Sequence, residues 1–288
     1  MGSLRPDKAL FFLAAWLLAA LIFSSPGYAS LPKASPVPGG VARVPLAPWS
    51  GNGPPPQAWW GEQRLLVKVE DGQWVALVGL PLDTAIGSHT LRIDGLADKA
   101  AIDFEVADKQ YPTQHIRLKD NSKVELSAAD LARVNSETAK IQGLKKHWRE
   151  AGQTDTPFVL PADGKLSGRF GLRRYFNGQA RAPHAGFDIA VPRGSAVRAN
   201  ADGIVLDIGD YFFNGKTVFV DHGNGLLSMY CHLDRIDVAV GQAVDKRQTL
   251  GLSGMTGRAT GPHLHWSVIL NGAMVDPDLF IARPAPTR

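Results

Sequence analysis

Short apolar runs separated by turn residues fill most of the chain. Arg64 to Glu70, Trp74 to Gly79, His89 to Ile93 and Ile102 to Val106 are rich in Val, Leu, Ile and aromatic residues, and Asp71-Gly72 and similar turn signals divide them. These runs predict a small β-sandwich. A helical period follows: Ser127 offers an N-cap with Asp130 three positions on, and Leu131, Val134, Ile141, Leu144 and Trp148 recur at spacings of three, four or seven. The pattern predicts an amphipathic helix stopped near Gly152, whose narrow apolar stripe suits packing along one domain or bridging two.

The second half is Gly-rich and β-branched. Asn214-Gly215 separates Tyr211 to Phe213 from Thr217 to Val220, Asn224-Gly225 precedes Leu226 to Leu233, and Asn271-Gly272 divides Leu264 to Leu270 from Ala273 to Val275. Such dipeptides favour two-residue hairpins, so this half is read as many short antiparallel strands. Ala199 to Ile208 with Val240 to Ser253 resembles the half-motifs of biotinyl and lipoyl carrier domains. No lysine stands at a hairpin tip in a Met-Lys-Met context, so the likeness is one of architecture.

At the amino terminus Arg5 and Lys8 precede an uncharged apolar run from Ala9 to Phe23, closed by Gly27-Tyr28-Ala29. This is the pattern of a secretory signal over 1–29. The run falls short of the roughly 20 residues that span a bilayer, so the mature chain is expected to begin at Ser30 and to sit in the periplasm or outside the cell. Membrane attachment is expected only if the segment is retained as an anchor. From Leu31 to Gln57, twelve of 27 residues are Pro or Gly, which reads as an approach segment over 30–57. The remaining divisions are a β-sandwich over 58–118, a helical linker over 119–155 and a final β domain over 156–288.

Composition narrows the chemistry. With 44% hydrophobic and 20% charged residues the chain is neither wholly disordered nor collagen-like nor a coiled coil. A net charge of +4 over 288 residues is too dilute for a nucleic-acid partner, though it suits an anionic polymer. The single cysteine, Cys231, excludes a disulfide framework and a Cys-rich metal site within one chain.

Five of the eight histidines fall between positions 184 and 265. His184-Ala-Gly-Phe-Asp188 sets an imidazole on a loop and a carboxylate at the start of a strand. In His263-Leu264-His265, strand alternation sends both imidazoles to one face; in Tyr230-Cys231-His232 it sends Tyr230 and His232 to one face and Cys231, a buried hydrophobe, to the other. The His263 and His265 pair is also what two solvated strand histidines would look like. Four imidazoles and one carboxylate suit zinc, whose catalytic sites use three protein ligands and leave a fourth position open. No His-Glu-x-x-His helix is present. His89 and His115 stand alone as surface or structural residues, His147 suits the basic last turn of the helix, and His222, in a turn-like Asp-His-Gly-Asn-Gly stretch, is expected to be exposed. Arg173 and Arg174 could meet a substrate carboxylate.

Asn177-Gly178, His184-x-x-x-Asp188, Tyr230-x-His232-Leu233 and Gly261-Pro262-His263-x-His265 together resemble the lysostaphin-type, or LytM-like, zinc endopeptidases of bacterial cell walls, over roughly Gly168 to Pro277. The resemblance implies that His184, Asp188 and His265 bind zinc and that His232 and His263 are catalytic. It also implies a mainly β fold: an immunoglobulin-like β-sandwich, a helical linker, then an antiparallel β-sheet catalytic domain of the LytM, or duplicated hybrid motif, type. The implied substrate is peptidoglycan, cut at a peptide bond of its stems or cross-bridges. A non-catalytic wall-binding or amidase-activating module on the same fold is the alternative. A zinc D-Ala-D-Ala carboxypeptidase would need an acidic residue before His-x-His, and 257–262 contain none.

Overall fold

The computed structural model describes residues 32–96, 100–117 and 126–281, and for Phe176 the backbone alone. The signal over 1–29 lies outside them. In chain order the elements are β1 (Val41–Pro48), β2 (Gln57–Trp60), β3 (Gln63–Arg64), β4 (Leu66–Glu70), β5 (Gln73–Gly79), β6 (Gly87–Asp94), β7 (Ala101–Val106) and β8 (Thr113–Ile116), then helix α1 (Ala128–Lys145). The second half holds β9 (Lys165–Gly168), β10 (Arg173–Phe176), β11 (Gln179–Ala180), β12 (Phe187–Ala190), β13 (Ala196–Arg198), β14 (Gly203–Tyr211), β15 (Gly215–Gly223), β16 (Leu226–Ile236), β17 (Ala243–Val244), β18 (Thr249–Ser253), β19 (Leu264–Leu270) and β20 (Ala273–Val275). Among the described residues no helix is long and apolar enough to cross a membrane.

Two sheets form the amino-terminal sandwich, in strand orders β1-β5-β4 and β3-β2-β6-β7. Ala42, Val44 and Leu46 of β1, Ala76 and Val78 of β5, and Leu91 and Ile93 of β6 fill the space between them. The expected approach segment over 30–57 is therefore corrected: Val41 to Pro48 is the sandwich's first strand, with Val41, Ala42, Val44 and Leu46 buried. Proline is tolerated there because β1 lies at a sheet edge, and the register shifts between Pro45 and Ala47.

The large sheet runs β17-β14-β15-β16-β19-β12-β9, with β13, β18 and β20 branching from it. One of its faces carries Val218, Val220, Tyr230, Leu264, Trp266, Val268 and Leu270, and it packs on Val41, Leu66, Val75 and Leu77 of the sandwich. β5 is consequently buried on both faces, its odd positions turned to the large sheet and its even ones to the sandwich. The other face of the large sheet carries Phe219, Leu227, Met229, Cys231 and Ile269, covered by Ile141 and Leu144 of α1.

α1 starts as its sequence predicts, with the Ser127 hydroxyl accepting from the Asp130 amide at 3.1 Å. It ends at Lys145, before the expected Gly152, and Trp148, off the helical stripe, lies beneath the Arg64 guanidinium, 4.7 Å from the ring centroid. β8 departs from the expected division as well. Although it falls within the 58–118 block, it pairs in parallel with β10 and so adds a strand to the β10-β11 hairpin of the second half.

Candidate metal centre

β12, β16 and β19 bring the site together. Asp188 on β12 and Cys231 on β16 both pair directly with His265 on β19, so these three residues share one face at one end of the sheet. His184, on the loop before β12, is fixed by backbone bonds at both of its polar groups: its amide donates to Leu172 O at 3.0 Å and its carbonyl accepts from Gly171 N at 2.8 Å. The outcome is a compact triangle. His184 Nε2 lies 2.9 Å from Asp188 Oδ1 and 3.0 Å from His265 Nδ1, and His265 Nδ1 lies 3.0 Å from Asp188 Oδ1.

Two imidazole nitrogens and one carboxylate oxygen this close make a ready metal-binding group. Their separations approach the edge of a tetrahedron with ligand bonds of about 2 Å, roughly 3.3 Å. The remaining ring nitrogens are held in the manner of metal-ligating histidines. His184 Nδ1 meets Arg169 O at 2.9 Å; a carbonyl only accepts, so Nδ1 donates there, which leaves Nε2 for the triangle. His265 Nε2 lies 2.9 Å from the Ser267 hydroxyl, which leaves Nδ1 for the triangle. Burial alone would raise the Asp188 pKa, but hydrogen bonds and charge from His184 and His265 outweigh it and hold the carboxyl far below its ordinary range. Burial pushes the His265 imidazole down.

His263 and His232 stand beside the triangle. His263 Nε2 is 3.7 Å from Asp188 Oδ1, and its Nδ1 meets Gly261 O at 2.8 Å. The His232 ring centroid is 4.7 Å from that of His263 and 6.1 Å from that of His265, with Nδ1 donating to Thr256 O at 2.9 Å. Burial is the first cause that pushes the His232 pKa down to about 4.

The structure thus gathers all five sequence-predicted residues, yet one geometric expectation fails. Tyr230 and Leu233 face the core shared with the sandwich, and Cys231 faces the side of the site. Plain alternation would turn His232 away with Tyr230. It reaches the site because its backbone is left-handed, with φ of 63°, an uncommon conformation for histidine. Cys231 is fully buried, and burial drives its thiol up to about 12, which removes it as a nucleophile.

The other histidines lie elsewhere. His89 stacks on Phe104, His115 stacks on Tyr175, and His147 sits 3.4 Å from Asp221. His222 is buried, contrary to its expected exposure: it belongs to β15, where Nδ1 bonds Asp202 O at 2.7 Å and Nε2 bonds the Ser228 hydroxyl at 2.8 Å. Arg173 and Arg174 both lie on β10. Sequence reasoning missed Ser267, which the i+2 spacing from His265 on one strand could have revealed. It also missed the carbonyls of Arg169, Thr256 and Gly261, for which no side-chain signal exists.

Residues 182–277 match the model of peptidase family M23, and residues 34–109 match that of the peptidase family M23 N-terminal domain. The second match includes β1, in accord with its place in the sandwich. The peptidoglycan DD-endopeptidase ShyA of Vibrio cholerae is 42% identical over 119 residues, which are 40% of this chain and 28% of that protein. The DD-carboxypeptidase/endopeptidase Mpg of Neisseria meningitidis is 38% identical over 122 residues, 42% of this chain and 28% of that protein. The chain thus spans under a third of the length of these curated relatives. A crystal structure of a putative peptidase M23 from Pseudomonas aeruginosa is 42% identical, covers 86% of this chain and 95% of its own, and superposes with a TM-score of 0.72. With two family models matched in order and a solved relative matched along nearly its whole length, the chain belongs to peptidase family M23.

Proposed function

We propose that this chain is an exported, zinc-dependent endopeptidase that hydrolyses peptide bonds in the stems or cross-bridges of peptidoglycan, acting in the periplasm or outside the cell. The observation that carries the reading is the triangle of His184 Nε2, Asp188 Oδ1 and His265 Nδ1 with two further imidazoles at its edge. The name of the V. cholerae relative supports the substrate, that of the N. meningitidis relative supports endopeptidase activity, and the pattern of residues 1–29 supports export.

His184, Asp188 and His265 would hold the metal. When bound, zinc supplies Lewis acidity, which polarises a carbonyl and makes water acidic enough to attack near neutral pH. His232 and His263 each spend Nδ1 on a backbone carbonyl, which fixes the tautomer and leaves Nε2 to exchange protons with the reacting groups. In this reading one imidazole takes the proton of the attacking water at Nε2 and returns it to the leaving amine, while the other, entering as the imidazolium, donates from Nε2 to the developing oxyanion.

Digestion of purified sacculi with and without a chelator, followed by mass spectrometry of the released muropeptides, tests the reading. Chelator-sensitive release of fragments with a new amino terminus supports it. Intact sacculi at full zinc loading would overturn it.

A further inference from the structure

Helix α1 lies outside the residues matched by the M23 model, yet it grips the β14-β15 loop, which bonds the His232 amide. The Arg133 guanidinium donates to Asp210 O at 2.9 Å, Glu137 accepts the Phe212 amide at 2.6 Å, and the two side chains bind each other at 2.7 Å. The Phe212 ring is within reach of two guanidinium carbons, 5.8 Å from that of Arg133 and 5.7 Å from that of Arg258.

Two residues beyond Phe212, the carbonyl of Asn214 accepts the His232 amide at 2.8 Å. The adjoining loop is fastened to the same unit. Arg258 N donates to Phe213 O at 2.9 Å, Lys216 N donates to Thr256 Oγ1 at 2.9 Å, and Thr256 O holds His232 Nδ1 at 2.9 Å. Gly215 and Gly257 touch backbone to backbone, since a Cβ on Gly257 would lie 2.3 Å from Gly215 N. His232 is therefore held by amide and ring in one two-loop unit, and the far side of that unit is pinned to α1.

We infer that Glu137, together with Arg133, is a positioning residue for His232. By fixing the Phe212 amide, the pair holds the 210–215 loop in the place where Asn214 O can maintain the left-handed backbone of His232, and so aims its imidazole at the metal centre. The inference rests on the reading of His232 as a proton-handling residue. Side chains that only docked α1 would alter stability and leave catalysis alone.

The test uses the zinc-loaded full chain, a soluble cross-linked muropeptide as substrate, and protein carrying ¹⁵N-histidine. The His232 ring signal is assigned as the one lost in His232→Ala. Glu137→Ala should keep its zinc, lower kcat by roughly ten- to a hundredfold with KM unchanged, as expected for a displaced catalytic group, and shift the His232 ring resonance. Glu137→Gln should return to within about threefold of the parent, because its amide oxygen still accepts from Phe212 N–H. Wild-type kcat and an unmoved His232 resonance in Glu137→Ala would overturn the inference, as would loss of zinc or a rise in KM alone. If the wild-type chain cuts no muropeptide, the peptidase reading fails, and the His232 resonance still decides whether Glu137 positions the ring.

Discussion

Gly79 on β5 and Leu270 on β19 pass so close that a Cβ on Gly79 would lie 2.3 Å from the Leu270 carbonyl oxygen. The sandwich and the large sheet meet here backbone to backbone, with Val75, Leu77 and Leu270 in one core. The two halves are thus expected to unfold together. Gly79→Ala should push the sheets apart and cost about 1–3 kcal/mol, the usual range for overpacking a close contact. Thermal unfolding followed by calorimetry checks both points. A separate early transition for the sandwich, or an unchanged Tm in the variant, would contradict this packing.

His222 makes stability depend on pH. Burial holds its imidazole down to about 4, against an ordinary 6.5. Between those values the unfolded chain takes up a proton that the folded chain refuses, so stability is full above pH 6.5 and is lost as pH falls from there towards 4. The lost stability is on the order of 3 kcal/mol. His222→Gln should flatten the fall across this window. His232 and His265 titrate in both proteins and cancel in the comparison, so denaturant melts at pH 7, 6, 5 and 4.5 isolate the effect. Parallel curves for the two proteins would dismiss it.

The elements that local chemistry dictates were legible. Asn224-Gly225 and Asn271-Gly272 have positive φ at both residues, the conformation a two-residue hairpin demands, whereas Asn214-Gly215 has it at the glycine alone and β15 already begins there. The Ser127 cap was readable for the same reason. Spacing offered candidates, with His263 and His265 two apart and His184 and Asp188 flanking a loop-to-strand junction, and it was the resemblance that divided them into ligands and catalytic residues. What escaped depends on distant partners. β8 pairs with a strand some 60 positions later, and no local pattern announces it. The turn-like stretch around His222 hid a strand position that alternation from Val218 and Val220 already turned inward. The aim of His232 comes with a left-handed backbone whose amide bonds Asn214 O, and side-chain periodicity does not encode it.

The three triangle residues and the two flanking imidazoles should separate by experiment. His184→Ala, Asp188→Ala and His265→Ala each remove one of three donors and should lose both metal and activity. His232→Ala and His263→Ala leave the triangle whole. They should retain metal while hydrolysis falls by roughly 10² to 10⁴, the usual worth of a positioned acid or base. Metal content measured beside activity for all five variants decides the matter. Loss of zinc from His263→Ala as complete as that from His265→Ala would make both histidines ligands and leave His232 alone to move protons.

Ser267 should tune the metal without touching it. Its hydroxyl lies 2.9 Å from His265 Nε2, on the same strand face as the triangle, and orients the imidazole so that Nδ1 points to His184 and Asp188. Groups in this position typically change metal affinity by 10- to 100-fold. Ser267→Ala is accordingly expected to weaken zinc binding by about that factor in a chelator competition, with near-normal hydrolysis once zinc is saturating. Ser267→Thr keeps a hydroxyl and should bind zinc more tightly than the alanine variant. The side chain is fully buried, so the fold must be checked by melting the metal-free proteins. An alanine variant with the parent's Tm and the parent's zinc affinity would show that His265 is oriented by its strand alone.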